Sequence, residues 1–374
     1  MRITSLDCLR GIAISLVMLN HFTLINADFW WIRLLRAGGG VDLFFLLSGM
    51  LVTLVLLRAK ESQRKTLPNI YLSRALRVWP LYFAVIGTAL LLLPLIDHPK
   101  AENFGRIDGD EWYYFLFLQT IPIAQSAQFR HAIVDVTWSL AIQEQFFWFW
   151  PLAIWFLKRH TLIVICVVLS FGALATRLLL AYLEVAPIAI YVLTPARADI
   201  LAIGCLLALT YDSWTKAGQL NARNVFLAAL AIIAYPIFAI TKQSLWEYDF
   251  LTYGLTLRLL FWVGIIFLLV NWELRFKGFS RNRIVLGFVW LSTFGYGLYL
   301  THIPVRAVVR DLWFMSGLTG AWDISAVQAQ LLFYVVAFVA CVAVAALVFY
   351  SFERPILMAR NRWLQGHSKT TAVG

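Results

Sequence analysis

The polar positions of this chain are islands between long apolar runs. Such runs fall at 9–26, 40–58, 75–96, 138–157, 161–183, 188–210, 224–241, 252–271, 284–309 and 326–350. Each is close to the roughly 20 residues that a helix needs to cross the hydrocarbon of a bilayer. The pattern predicts an all-α, polytopic transmembrane helical bundle of about ten spans, with both termini on one side. Trp112 to Ile123 is aromatic but short and broken by Pro122. It is expected to be re-entrant or interfacial, with its backbone satisfied by protein or water. No internal repeat emerges, which speaks mildly against the inverted-repeat transporter folds.

Composition sharpens this picture. Of 374 residues, 61% are hydrophobic and 14% charged, against about 45–50% and about 25% in a soluble domain. An ordinary soluble enzyme and a disordered chain are both excluded. The 31 Lys and Arg against 20 Asp and Glu give a net +11, which reads as topology before it reads as nucleic-acid binding. Loops on the side of the N-terminus hold 19 Lys and Arg and the opposite loops 6, so both termini are expected in the cytoplasm. The first run follows Arg2 as a secretory leader would, but Asp7, Arg10 and His21 interrupt it, so a retained first helix is expected. Residues 1–357 form the expected transmembrane domain, and 358–374 a basic cytoplasmic tail expected to be disordered. Cys8, Cys166, Cys205 and Cys341 lie far apart without metal or redox spacing, and read as small buried hydrophobes.

In a chain this poor in charge, ionisable groups inside spans mark function by default. Arg10 and His21 are eleven residues apart, within about 20° of three helical turns, so they share one stripe about 16 Å apart along the axis. One reading is a fixed cation at the inner end of the helix and a titratable base deeper in. The other is a snorkelling arginine and a hydrogen-bonded core histidine. Asp42 follows Gly38-Gly39-Gly40 at the start of the second run, where capping alone is also an explanation. Arg74 and Arg77 share a helix face and suit either the inside rule or a phosphate clamp. Glu144 lies at a depth resembling that of His21, and must be paired, protonated or wet. It fits a His–carboxylate pair or a salt bridge to Arg197. His302 is either a second substrate-facing group or a core histidine.

Several of these residues fall in ordered motifs. Leu6-Asp7-Cys8-Leu9-Arg10-Gly11-Ile12-Ala13 with His21-Phe22, the run Gly40 to Gly49, Arg74-Ala75-Leu76-Arg77, and Thr137 to Phe146 together resemble the integral-membrane acyltransferase-3 family. Weaker echoes are Arg197-Ala198-Asp199, Tyr296 to His302 and Phe352-Glu353-Arg354-Pro355. Cys8 stands where the family commonly has glycine, and Gln143 replaces the first of two adjacent glutamates. The resemblance implies a multi-pass protein of the inner membrane that moves an acyl group, often acetyl, from cytoplasmic acyl-CoA to a hydroxyl of a sugar or glycan. It implies His21 as general base, with Glu144 orienting it, and Arg10, Arg74 and Arg77 on the donor phosphates. Asp42, Trp138, Ser139, Arg197 and His302 are the expected substrate-facing residues. Membrane lipid is the remaining expected partner; no permanently bound cofactor, metal or nucleic acid is expected. The rival class is a transporter or flippase of a polar solute, whose pathway intramembrane Arg, His and Glu would also line.

Overall fold

A backbone in lipid has no water to bond to, so a spanning segment must satisfy its own N–H and C=O groups. Accordingly, every regular element among the described residues is helical. The structure, a computed structural model, describes residues 3–24, 39–62, 66–92, 109–131, 133–216, 220–242, 244, 246–276, 278–316 and 325–370. The long helices are α1 (Thr4–His21), α2 (Gly40–Ser62) and α3 (Leu67–Gly87). Two short helices follow, α4 (Glu111–Phe115) and α5 (Thr120–Ser126), then α6 (Trp138–Phe156) and α7 (Arg159–Tyr182). Next come α8 (Pro187–Val192), α9 (Thr194–Leu209), α10 (Tyr211–Thr215), α11 (Ala222–Thr241) and α12 (Leu255–Arg275). The chain closes with α13 (Arg283–Thr293), α14 (Gly295–Met315), α15 (Ala326–Val348) and α16 (Arg354–Thr370).

By length and composition, seven helices among the described residues can cross a membrane. An eighth span is added if α13 and α14, bent by 74°, form one broken crossing. Two of the ten expected runs, 9–26 and 138–157, correspond to α1 and α6. Both are helical over 18 and 19 residues but carry Asp7, Arg10 and His21, or Gln143, Glu144 and Gln145, and so fall below the apolarity of a plain span. These two helices bear much of the candidate chemistry.

Helix α1 packs against α2, α12, α13, α14 and α15. Its buried face is Leu6, Leu9, Ala13, Ile14, Val17 and Met18. The first turn of any helix leaves N–H groups without partners. Here the Glu273 carboxylate, near the end of α12, accepts from the N–H of Thr4 at 2.7 Å and of Ser5 at 2.8 Å, and from the Ser5 hydroxyl at 2.7 Å. A carboxylate at a helix N-terminus also meets the positive end of the dipole. This bond fixes the axial position of the helix that holds Arg10 and His21. Helices α2 and α9 approach backbone to backbone: a Cβ on Gly49 would collide with the Leu201 carbonyl, and one on Gly204 with that of Leu46, the small-residue contact favoured between membrane helices.

The segment expected to be re-entrant breaks into α4 and α5, neither long enough to cross. Protein groups satisfy its backbone. Tyr82 Oη donates to the Tyr114 carbonyl at 2.6 Å, and Gln145 Nε2 to that of Phe117 at 2.6 Å. Gln119 Nε2 reaches the Thr137 carbonyl at 3.0 Å. Asp110 holds Arg130 at 3.0 Å and His131 at 3.1 Å. Asp135 accepts from the His131 N–H at 2.6 Å and from the Tyr114 hydroxyl; burial pushes its carboxyl above the ordinary range. These bonds anchor the start of α6.

The chain continues from α15 through a π turn at Phe349–Glu353 into α16, helical to Thr370. Arg360 donates to the Ser73 carbonyl at 3.2 Å, docking α16 on α3.

Candidate active site

His21 ends α1 half-buried, and His302 lies fully buried in α14. His21 Nδ1 and His302 Nε2 are 2.9 Å apart, with ring centroids 5.0 Å apart and planes tilted by 32°. His302 Nδ1 meets two carbonyl oxygens, Tyr299 at 2.7 Å and Leu298 at 3.2 Å. A carbonyl only accepts, so this nitrogen carries the proton. In a neutral His302, Nε2 is then an acceptor, and the hydrogen between the rings belongs to His21 Nδ1. His21 Nε2 is left with a free lone pair, the form a general base requires. Arg306, one turn beyond His302, is an electrostatic neighbour of both rings.

A cavity of about 520 Å³ runs along α1, α2, α3, α6 and α14. Arg10, Arg74, Arg77 and Arg360 line it together with Asp7, Ser73 and Asn361, and further along its wall lie Ser48, Ser139, Gln143, Tyr296 and Tyr299. Ser139, Gln143 and Phe147 recur every four residues on one face of α6, which is the helical reason that they share this wall. Tyr299 Oη donates to the Val136 carbonyl and so accepts the Ser139 hydroxyl, 2.5 Å away. Tyr299 precedes His302 by one turn of α14, about 4.5 Å along the axis, and neither His21 nor His302 is among the residues that line the cavity.

Glu144 is where the sequence expectation and the geometry part. It is buried, but its oxygens meet Arg74, at 2.7 Å from Nη2 and 2.8 Å from Nε, and Trp79 Nε1 at 3.2 Å. The imidazole of His21 pairs with His302, not with this carboxylate. Arg74 also lies 4.0 Å over the Phe147 ring. Glu144 thus holds an arginine of the cavity wall. The expected salt bridge from Glu144 to Arg197 is also replaced: Arg197 pairs with Asp42, which Arg258 approaches from its other oxygen.

The sequence-expected residues therefore separate into groups. Arg10, Arg74, Arg77 and Ser139 line the cavity; His21 and His302 form a pair off its wall, one turn of α14 from Tyr299; Glu144 holds Arg74. Asp42 and Arg197 come together in a buried ion cluster with Arg258 that is not part of the cavity wall. Gly39, at φ +61°, allows Arg258 to lie against the backbone there. Trp138 packs between Phe45 and Tyr191, with centroids at 6.0 and 4.9 Å, and is likewise off the wall. Sequence reasoning missed Tyr299, Gln143 and Arg360. The first two carried a usable signal, since Tyr299 is three residues from His302 and Gln143 four from Ser139. Arg360 carried none, because a basic segment after the last apolar run reads as a tail.

The bundle thus combines a cavity lined by arginines with a buried histidine pair one turn of helix from its wall. The chain belongs to the acyltransferase-3 family, whose profile, an acyltransferase domain, matches residues 3–350. It is similar to the O-acetyltransferase OatA of Staphylococcus aureus (strain NCTC 8325 / PS 47), 26% identical over 325 residues covering 82% of this chain and 51% of that protein. It is also similar to the peptidoglycan O-acetyltransferase OatA of Listeria monocytogenes, 26% identical over 325 residues, 81% of this chain and 49% of that one. The chain spans about half the length of these curated relatives. No solved structure matches it.

Proposed function

We propose that this protein is an inner-membrane O-acetyltransferase that takes an acetyl group from cytoplasmic acetyl-CoA and places it on a hydroxyl of a glycan. The observation that carries the reading is the relay from His21 Nδ1 to His302 Nε2 and from His302 Nδ1 to the Tyr299 carbonyl. It leaves a half-buried imidazole nitrogen of His21 with a free lone pair, an arrangement that a scaffold would gain nothing by building. The acetyltransferase relatives supply the acyl group and the kind of acceptor.

In this reading the positive-inside rule sets the Arg10 end of α1 at the cytoplasm. Arg10, Arg74 and Arg77 take the phosphates of the donor, as planar guanidinium groups do well. The pantetheine arm extends along the cavity wall past Gln143 and Ser139, and the thioester lies beside Tyr299. His21 Nε2 removes the proton of the acceptor hydroxyl as its oxygen attacks the thioester carbonyl. The C–S bond breaks, the ester forms, and the imidazolium returns the proton to the leaving thiolate. Charge forms only transiently on His21. Glu144 is a positioning residue for Arg74.

The test is transfer of label from radiolabelled acetyl-CoA to a panel of glycans, including peptidoglycan fragments, by purified protein in nanodiscs. Alkali-labile acetyl esters on a glycan, with stoichiometric release of CoA, are expected. Uptake of a solute into vesicles with no thioester turnover would instead identify a transporter.

A further inference from the structure

The cavity wall holds four guanidinium groups, and three of them have a carboxylate neighbour. Arg10 has Asp7 at 3.8 Å, Arg74 has Glu144 at 2.7 Å, and Glu353 is the carboxylate that acts on Arg77. Arg360 is the exception among the described residues: it bonds the Ser73 carbonyl at 3.2 Å and the Asn361 side chain at 2.9 and 3.2 Å, all neutral oxygens. Arg10, Arg74 and Arg360 are nonetheless the like-charged neighbours of Arg77. Converging cations repel one another, and a protein gathers them where an anion is to be bound. The helix that brings Arg360 there, α16, begins at Arg354, beyond the 3–350 that the family profile matches.

We propose that Arg360, on the C-terminal helix, is a phosphate-binding residue of the donor site and closes the cavity over the nucleotide end of the thioester. The inference rests on the CoA-donor reading given above. An arginine bound only to neutral oxygens keeps its charge uncompensated, and its planar fork offers paired donors to a phosphate. Its weak bonds to Ser73 and Asn361 orient the side chain without neutralising it. A basic helix near a membrane surface could instead serve anionic lipid headgroups, which present the same phosphate chemistry, so the experiment has to separate the two.

The protein is reconstituted in nanodiscs of phosphatidylcholine alone and of phosphatidylcholine with phosphatidylglycerol. KM is measured for acetyl-CoA and for acetyl-pantetheine, which lacks the nucleotide phosphates. Arg360→Gln is expected to raise KM for acetyl-CoA about tenfold or more, the scale of one lost bond to a charged group. Acetyl-pantetheine should be unaffected in either lipid, and Arg362→Gln, an exposed position of the same helix, should change neither. An unchanged preference for acetyl-CoA in Arg360→Gln overturns the inference and leaves the donor reading standing. A defect seen only with phosphatidylglycerol also overturns it, in favour of a lipid contact. Wild-type protein that does not prefer acetyl-CoA to acetyl-pantetheine overturns the donor reading itself.

Discussion

His302 Nε2 accepts from His21 Nδ1 across 2.9 Å, and His302 can do so because its own Nδ1 proton is committed to the Tyr299 carbonyl at 2.7 Å. The tautomer of the candidate base is thus set by a backbone oxygen of another helix. His302→Phe removes the acceptor but keeps the bulk of the ring. It is expected to lower kcat about a hundredfold, within the range that aligned general bases contribute, while KM for acetyl-CoA stays unchanged. Steady-state kinetics on protein of matched thermal stability checks this, and an unchanged kcat would show that the pairing is only packing.

Glu144 acts through Arg74, so Glu144→Gln should divide the two kinetic constants in the opposite way. KM for acetyl-CoA is expected to rise, with kcat falling much less than in His302→Phe. Removing the charge also leaves Arg74 less well held, and breaking a buried ion pair typically costs about 3–5 kcal/mol. A loss confined to kcat would return Glu144 to the histidine.

Tyr299 and Ser139 share one hydroxyl chain, Ser139 to Tyr299 to the Val136 carbonyl. Tyr299→Phe and Ser139→Ala should therefore be non-additive, with a coupling of about 0.5–3 kcal/mol in RT ln(kcat/KM). Strict additivity in the double-mutant cycle would mean that the two hydroxyls act separately.

Much of this was legible in the sequence, and the rest was hidden for definite reasons. Helix positions follow from apolar runs, and the common stripe of Arg10 and His21 from helical period, because both are local properties. The span count was harder to read, since α1 and α6 carry ionisable and amide side chains within their apolar runs. Which carboxylate meets which cation was not legible: Glu144 had His21 and Arg197 as plausible partners, and only packing of α3 against α6 brings Arg74 to it. Asp42 and Arg197 read as substrate-facing for the same reason, because a buried ion cluster and a binding site use the same residue types. Arg360 was hidden because its partner, the Ser73 carbonyl, lies 287 residues away.

Asp42 is the sole carboxylate that pairs with both Arg197 and Arg258 among the described residues. Asp42→Asn removes the carboxylate shared by two buried cations and is expected to destabilise the fold by about 3–5 kcal/mol, read as a lowered Tm in detergent. The folded fraction should keep its KM for the glycan acceptor. A raised acceptor KM without loss of Tm would make this cluster part of the binding site after all.

The central claim is that His21 is the base of acyl transfer. It is tested most directly by single-turnover transfer from radiolabelled acetyl-CoA in wild type and His21→Ala, with acetyl-CoA binding measured on the same samples. Unchanged binding and transfer slowed about 10²–10⁴-fold are the predicted result. Equal rates of transfer in the two proteins would contradict it.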